Sequence, residues 1–312
     1  MATLICGSLA YDTIMVFPDQ FKRHILPEQV HILNVSFLVP ELRREFGGCA
    51  GNIAFNLKML GGDPWILGTA GQDFGPYDEW LRHWDIDTRH IRLLQDHYTA
   101  QAFITTDLDD NQITAFHPGA MNEAHQTRIA SADLGEVGWG IVSPDGREAM
   151  LQHASEFAAA EIPFIFDPGQ GLPMFDGPAL LDLIDKASVV TVNDYESKLI
   201  EDRTGLSARK LSERVAAFVI TRGEHGSLIL HEGKTLEIPA AKPQRVVDPT
   251  GCGDAYRAGL LFGLEKGMDL ESTARIASLM GAIKIEQHGT QNHVFDWTEF
   301  STRFAESFGY SL

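Results

Sequence analysis

Short apolar runs closed by polar clusters recur through the middle of the chain: VGWGIVS, PFIFDPG, SVVTVNDYE and AFVITRG. Helix-compatible segments separate them, around Glu148–Ala160, around Gly177–Lys186 and on toward Leu211. Such alternation predicts a largely parallel sheet covered by helices on both faces. A sheet of that kind presents its binding groups at the carboxyl ends of its strands. Here DPG follows IPFIF, NDYE follows VVTV and TRGEHG follows AFVI.

The first third is less regular. Thr3–Gly7 reads as a first strand extended at its far end by Ser8–Tyr11, with Ile14–Phe17 as a separate strand. Phe21–Glu45, which contains Pro27 and Pro40, reads as an excursion from the alternation and ends at Gly47 and Gly48. Ala50–Leu60 has helical composition, and Gly61 and Gly62 stop it. Pro64–Ala70 is expected as a strand and Tyr77–Trp84 as a helix. In Thr99–Ala120 two β-favouring runs flank LDDN, the clearest hairpin in the chain. The excursions over residues 12–45 and 97–120 are expected to form a small second layer, or lid, over the strand ends. No repeat or low-complexity linker divides residues 1–312, so a single unit is expected.

With 312 residues, 44% of them apolar and 22% charged, the chain can bury a large core. A formal charge of −18 argues against a broad DNA- or RNA-binding surface but leaves room for an anionic small molecule in a local pocket. No apolar run is long enough for a membrane span. The opening MATLICGSLAYD lacks the layout of a secretory signal, so a cytoplasmic location is expected. Cys6, Cys49 and Cys252 lack zinc-knuckle spacing.

Candidate chemistry concentrates in DPTGCGDAYRAGLL, Asp248–Leu261. Glycines let several backbone N–H groups converge, and a following helix adds unpaired amides and a favourable dipole. A phosphoryl group suits such a cradle. Asp254 would then accept the proton of an attacking hydroxyl. The plainer reading, a glycine turn with an aspartate near a helix start, is as good for this segment alone. No GxxxxGK[ST] pattern is present.

With REFGGCAGNIAFNLKMLGG at Arg44–Gly62 ahead of DPTGCGDAYRAGLLFGL, the sequence resembles the PfkB, or ribokinase-like, family of carbohydrate and nucleoside kinases. NDYE at Asn193–Glu196 and TRGEHG at Thr221–Gly226 resemble two further family elements, and the likeness is greatest to bacterial nucleoside kinases related to adenosine kinase. The resemblance implies a three-layer α/β/α core with a β-rich lid, and ATP- and Mg2+-dependent phosphorylation of a ribose 5′-hydroxyl. It implies Asp254 as base and the amides of Gly251, Cys252 and Gly253 as the anion hole. Asp12, Gly48 and Asn52 would hold the ribose. Asn193 and Glu196 would order Mg2+ through water, although a helix cap is the other reading of that pair. Thr221, Gly223 and Gly226 would approach the nucleotide phosphates, with Arg222 adding positive charge there or making a surface ion pair instead, and Ala282, Ile283 and His288 would border the adenine. A potassium-type ion (K+) is common in the family, and backbone oxygens near Asp248, Thr250 and residues 284–289 are the implied cage.

A nucleoside needs an apolar wall for its base. Phe103 and Phe116, on opposite arms of the hairpin, are the candidates, along with Phe17 and Phe37 in the earlier excursion; packing between lid strands is the alternative for each. Ribokinase or fructokinase activity on a free sugar is the competing enzyme reading, and a nucleoside-binding regulator without turnover is the non-enzyme one. The family contains monomers and homodimers, and an uncovered hairpin edge would suit the latter.

Overall fold

A computed structural model describes residues 1–25, 35–109, 111–131 and 134–312. Pro27 of the first excursion and Asp110 of the hairpin turn lie outside the described residues. The chain runs through β1 (Ala2–Cys6), β2 (Ala10–Val16), β3 (Glu41–Gly47), α1 (Cys49–Met59), β4 (Pro64–Gly71), α2 (Gly75–His83) and β5 (Ile91–Leu94). Next come β6 (Ala100–Thr106), β7 (Gln112–His117), β8 (Val137–Val142), α3 (Arg147–Ala159), β9 (Phe164–Phe166), α4 (Gly177–Lys186) and β10 (Val189–Asn193). Then follow α5 (Asp194–Thr204), α6 (Ala208–Ser212), β11 (Ala217–Thr221), β12 (Ser227–His231), β13 (Lys234–Ile238), α7 (Cys252–Glu265), α8 (Leu270–Lys284) and α9 (Trp297–Phe308).

Among the described residues the strands form two sheets. The larger has nine strands in the order β13-β12-β11-β10-β9-β8-β1-β4-β5. It is parallel from β5 to β11, while β12 and β13 add an antiparallel edge. Alternate side chains enter opposite layers: Ile5, Val189 and Val219 join a cluster with residues of α1, α2, α7, α8 and α9. Leu4, Cys6, Val190, Val192 and Phe218 join the cluster beneath α3, α4 and α5. Burial on both faces is why these strands read as continuous apolar runs. The α/β/α expectation holds.

The other sheet has four strands in the order β3-β2-β6-β7. It is assembled from the two stretches that broke the strand–helix rhythm. β2 pairs antiparallel with β3, from Ala10↔Gly47 to Val16↔Glu41, and parallel with β6. β6 and β7 are the expected hairpin, with Gln101↔His117 through Thr106↔Gln112 in register.

One boundary needs correction. Ser8–Tyr11 does not extend the first strand, and Ile14–Phe17 is not separate: residues 10–16 form one strand of the small sheet. Ser8 is engaged elsewhere. Its carbonyl accepts from Ala50 N (3.0 Å) and its hydroxyl from Cys49 N (3.1 Å), satisfying the first amides of α1. The chain therefore turns at residues 7–9 and passes from one sheet to the other. β5, the β12–β13 pair and α9 are elements that the apolar pattern did not announce.

Candidate active site

Gly251 lies in the left-handed region (φ 78°) as the N-cap of α7 and sets the helix axis immediately behind the turn. The N–H of Cys252 closes onto Pro249 O (3.2 Å). The amides of Gly251, Gly253 and Asp254 bond to no described residue, so the open donors of this helix end are these three rather than that of Cys252. Asp254 is half-buried in the first turn. Burial pushes its carboxyl up to about 6 against the opposing hydrogen bond from Asn52 and the charge of Arg257. One helical turn on, Arg257 is buried and grips the buried carboxylate of Asp167 through Nε (2.8 Å) and Nη2 (3.0 Å).

A directed chain of side-chain amides ends on Asp254. The Trp80 indole, which can only donate, bonds to Gln291 Oε1 (3.0 Å). Gln291 Nε2 therefore faces Asn52 Oδ1 (3.0 Å) and the Tyr77 hydroxyl (2.7 Å). Asn52 in turn presents its amide N–H to Asp254 Oδ2 (2.8 Å). The Tyr77 hydroxyl donates to Gly47 O (2.8 Å). Space for that hydroxyl exists because residue 51 is glycine: a Cβ there would stand 1.9 Å from it. Gly51, the glycine of CAGN, thus makes room for the chain that orients the Asn52 amide.

Asp12 faces the same region from the small sheet. It pairs in register with Glu45 and Ala102, and Ala102 pairs with Phe116, so these four share one face. Phe103 pairs with Thr13 and Ala115 and lies on the opposite face. Phe116 can share a wall with Asp12, and Phe103 cannot share it with Phe116. Phe17 and Phe37 pack on each other at 4.7 Å between ring centroids and on Phe21. The Asp12 carboxylate accepts no hydrogen bond from a described residue, and burial, with Glu45 and Asp248 nearby, pushes it up to about 6. Gly48 is the N-cap of α1, and its carbonyl takes Asn52 N (3.0 Å).

At the carboxyl ends of β10 and β11 lie the remaining polar clusters. Asn193 and Glu196 form a capping box for α5: Asn193 Oδ1 accepts from Glu196 N (2.7 Å), and Glu196 Oε2 from Asn193 N (2.8 Å). The other oxygen of Glu196 carries no bond from a described residue, and burial raises this carboxyl above its usual range. Thr221 ends β11, with its hydroxyl 3.3 Å from Val192 O. Arg222 makes no ion pair with a described residue; its Nη2 reaches His225 O (3.1 Å). Gly223 and Gly226 both have positive φ, and Arg222 N closes the loop onto Gly226 O (2.8 Å). Ala282 and Ile283 are buried within the core cluster, whereas His288 is exposed.

Gln291, Tyr77, Trp80, Arg257 and Asp167 carry this geometry without a sequence reading having named them. Arg257 had a signal: it stands three residues after Asp254, one turn along the same helix. Gln291 had none, because its partners are remote in sequence.

The model of the pfkB family carbohydrate kinases matches residues 10–297, and the chain belongs to that family. It is 32% identical to a nucleoside kinase of Methanocaldococcus jannaschii, over 86% of this chain and 89% of the relative. It is 31% identical to one of Methanothermobacter thermautotrophicus, over 98% and 96%. Among solved structures, a nucleoside kinase of Burkholderia thailandensis in complex with inosine superposes with a TM-score of 0.90 at 52% identity, covering 99% of both chains.

Proposed function

We propose that this protein is an ATP-dependent nucleoside kinase, which transfers the γ-phosphoryl group of ATP to the 5′-hydroxyl of a ribonucleoside. The observation that carries the reading is the half-buried Asp254 carboxylate, fixed by Asn52 at 2.8 Å beside the open amides of α7. In this reading Asp254 takes the hydroxyl proton as the phosphoryl group arrives at those amides. Its pKa of about 6 leaves it ionised at neutral pH yet basic enough to accept a proton. Asp12, whose carboxylate accepts no hydrogen bond from a described residue, accepts two ribose hydroxyls, with Asn52 and the Gly48 backbone completing the grip. Phe116 forms the wall for the base.

On the nucleotide side, Thr221, the loop Gly223–Gly226 and the guanidinium of Arg222, which makes no ion pair with a described residue, face the phosphates, with Ala282, Ile283 and His288 toward the adenine. The free oxygen of Glu196 fits a magnesium ion held through water, since that ion keeps much of its hydration. Bound there, magnesium would neutralise charge on the triphosphate. The small sheet acts as a lid that excludes water from the transfer.

The protein of Burkholderia thailandensis binds inosine, and that base class is the first to try here. A free-sugar substrate is the second reading, because a ribokinase of Lactococcus lactis is 30% identical over 67% of this chain. Incubating inosine, adenosine, guanosine, cytidine, ribose and fructose with ATP and magnesium, with ADP and phosphorylated product both measured, decides between them. Nucleoside 5′-monophosphate is expected; product from ribose or fructose alone would reverse the assignment.

A further inference from the structure

Lys284 is the last residue of α8, and none of its surface reaches solvent. Its Nζ donates to the main-chain carbonyls of Asp248 (2.7 Å) and Gln287 (3.2 Å). A buried ammonium must be paired. Here the carbonyls, the nearby Asp248 carboxylate and the C-terminal end of a helix dipole all favour positive charge. Burial lowers the lysine from its ordinary pKa, and Asp248 opposes the shift.

The surrounding bonds show what this cation stitches together. Val247 N and Asp248 N both donate to Ile285 O, at 2.9 and 3.1 Å. The Asp248 carboxylate takes Thr250 N (2.9 Å) and Gly289 N (3.0 Å) rather than the lysine. Residues 247–250 are thereby bound to 284–289 immediately before Gly251 opens α7. These are the two stretches whose backbone oxygens were expected to cage a potassium-type ion. That expectation does not fit, because an ammonium of comparable size and equal charge already holds two of the carbonyls.

We propose that the Lys284 ammonium is a tethered monovalent cation, which fixes the anion-binding turn ahead of α7 and makes a dissociable potassium-type ion unnecessary. The activity readout rests on the kinase reading above; the melting readout does not. Thermal melting and nucleoside-dependent ADP formation would be followed in KCl, NaCl and choline chloride at equal ionic strength, for the natural protein and for Lys284→Ala. The natural protein should melt alike in all three salts and turn over within about twofold. Lys284→Ala should melt lower and turn over about 10-fold or more slowly in choline chloride, and recover part of both losses in KCl. A natural protein stabilised or accelerated several-fold by potassium would overturn the proposal, even if the variant fails to fold. So would a folded variant that matches the natural protein in choline chloride, or one whose losses no small cation repairs. Absence of turnover in every sample would sink the kinase reading and leave the melting comparison to decide this one.

Discussion

In β4 every residue from Pro64 to Gly71 is buried, whereas in β7 every residue from Gln112 to His117 is exposed. Both are regular strands, but β4 lies between β1 and β5 while β7 is an edge strand paired only with β6. The large sheet is held by side chains sealed on two faces. The small sheet is held by its ladders, by Tyr11 and Phe46 packed into the core at its base, and by polar ties at its margins. Asp73 is the chief tie at the base, accepting from Thr99 N (2.7 Å), Gln101 Nε2 (2.9 Å) and Arg44 Nη2 (3.3 Å). At the far end Asp107 takes Phe21 N (2.8 Å), Asp109 N (2.9 Å) and Asn111 N (2.9 Å), and despite opposing burial these bonds bring it down to about 2. A sheet fastened at its margins, with little apolar cover, belongs to the easily opened part of a structure. The nine-stranded sheet supplies the rigid platform on which the site is built.

The largest contrast expected is chemical. Asp254→Asn should lower turnover by roughly 10²–10⁴-fold while the protein still melts cooperatively. Steady-state rates near those of the natural protein would remove Asp254 as base. Because only the ionised carboxylate can accept a proton, kcat/KM should climb as pH rises through about 6.

Next in size is the difference between sheets. Phe166→Ala, in a fully buried strand, should cost about 3–5 kcal/mol in denaturant unfolding. Phe116→Ala, 53% exposed in the small sheet, should change stability by no more than about 0.5 kcal/mol and act on nucleoside KM instead. Equal losses from the two would erase the distinction.

Asp73→Ala strips three bonds from the base of the small sheet and should cost about 1–3 kcal/mol locally. Faster amide exchange in β2 and β6, with the large sheet unchanged, is the expected signature. Smallest is Asp12→Asn. The folded pKa of Asp12 lies above its unfolded value, so its contribution is full in acid and is lost as pH rises through about 6. Replacing it should therefore raise stability by about 1 kcal/mol at pH 7, after discounting for partial solvation, and leave stability near pH 3 unchanged. Nucleoside affinity should fall in the same variant.

Much of the large sheet was legible because its strands are buried on both faces and its helices intervene at regular intervals. The small sheet was legible only as a disturbance of that rhythm, apart from the LDDN hairpin. Ser8 shows why: its sequence continues a β-favouring run, but its carbonyl and hydroxyl cap a helix forty residues on. Phe103 and Phe116 could be placed on one hairpin from sequence, yet their opposite faces follow from a register that depends on both partner strands. Asn193 and Glu196 carried two readings, and the cap is realised while one oxygen of Glu196 takes no bond from a described residue.

Local sequence therefore determined the layered α/β class, the glycine turn that opens α7 and the short list of groups able to do chemistry there. Period, turn residues and helix-end signals act over a few positions and survive without knowledge of neighbours. Tertiary structure decided which donor meets which acceptor: Trp80 and Gln291 orienting Asn52 toward Asp254, Arg257 locked to Asp167, and Lys284 seated on the carbonyls of residues 248 and 287. A hydrogen bond or a buried charge is settled within about 3 Å, and no pattern along one chain specifies that distance between residues brought together by folding.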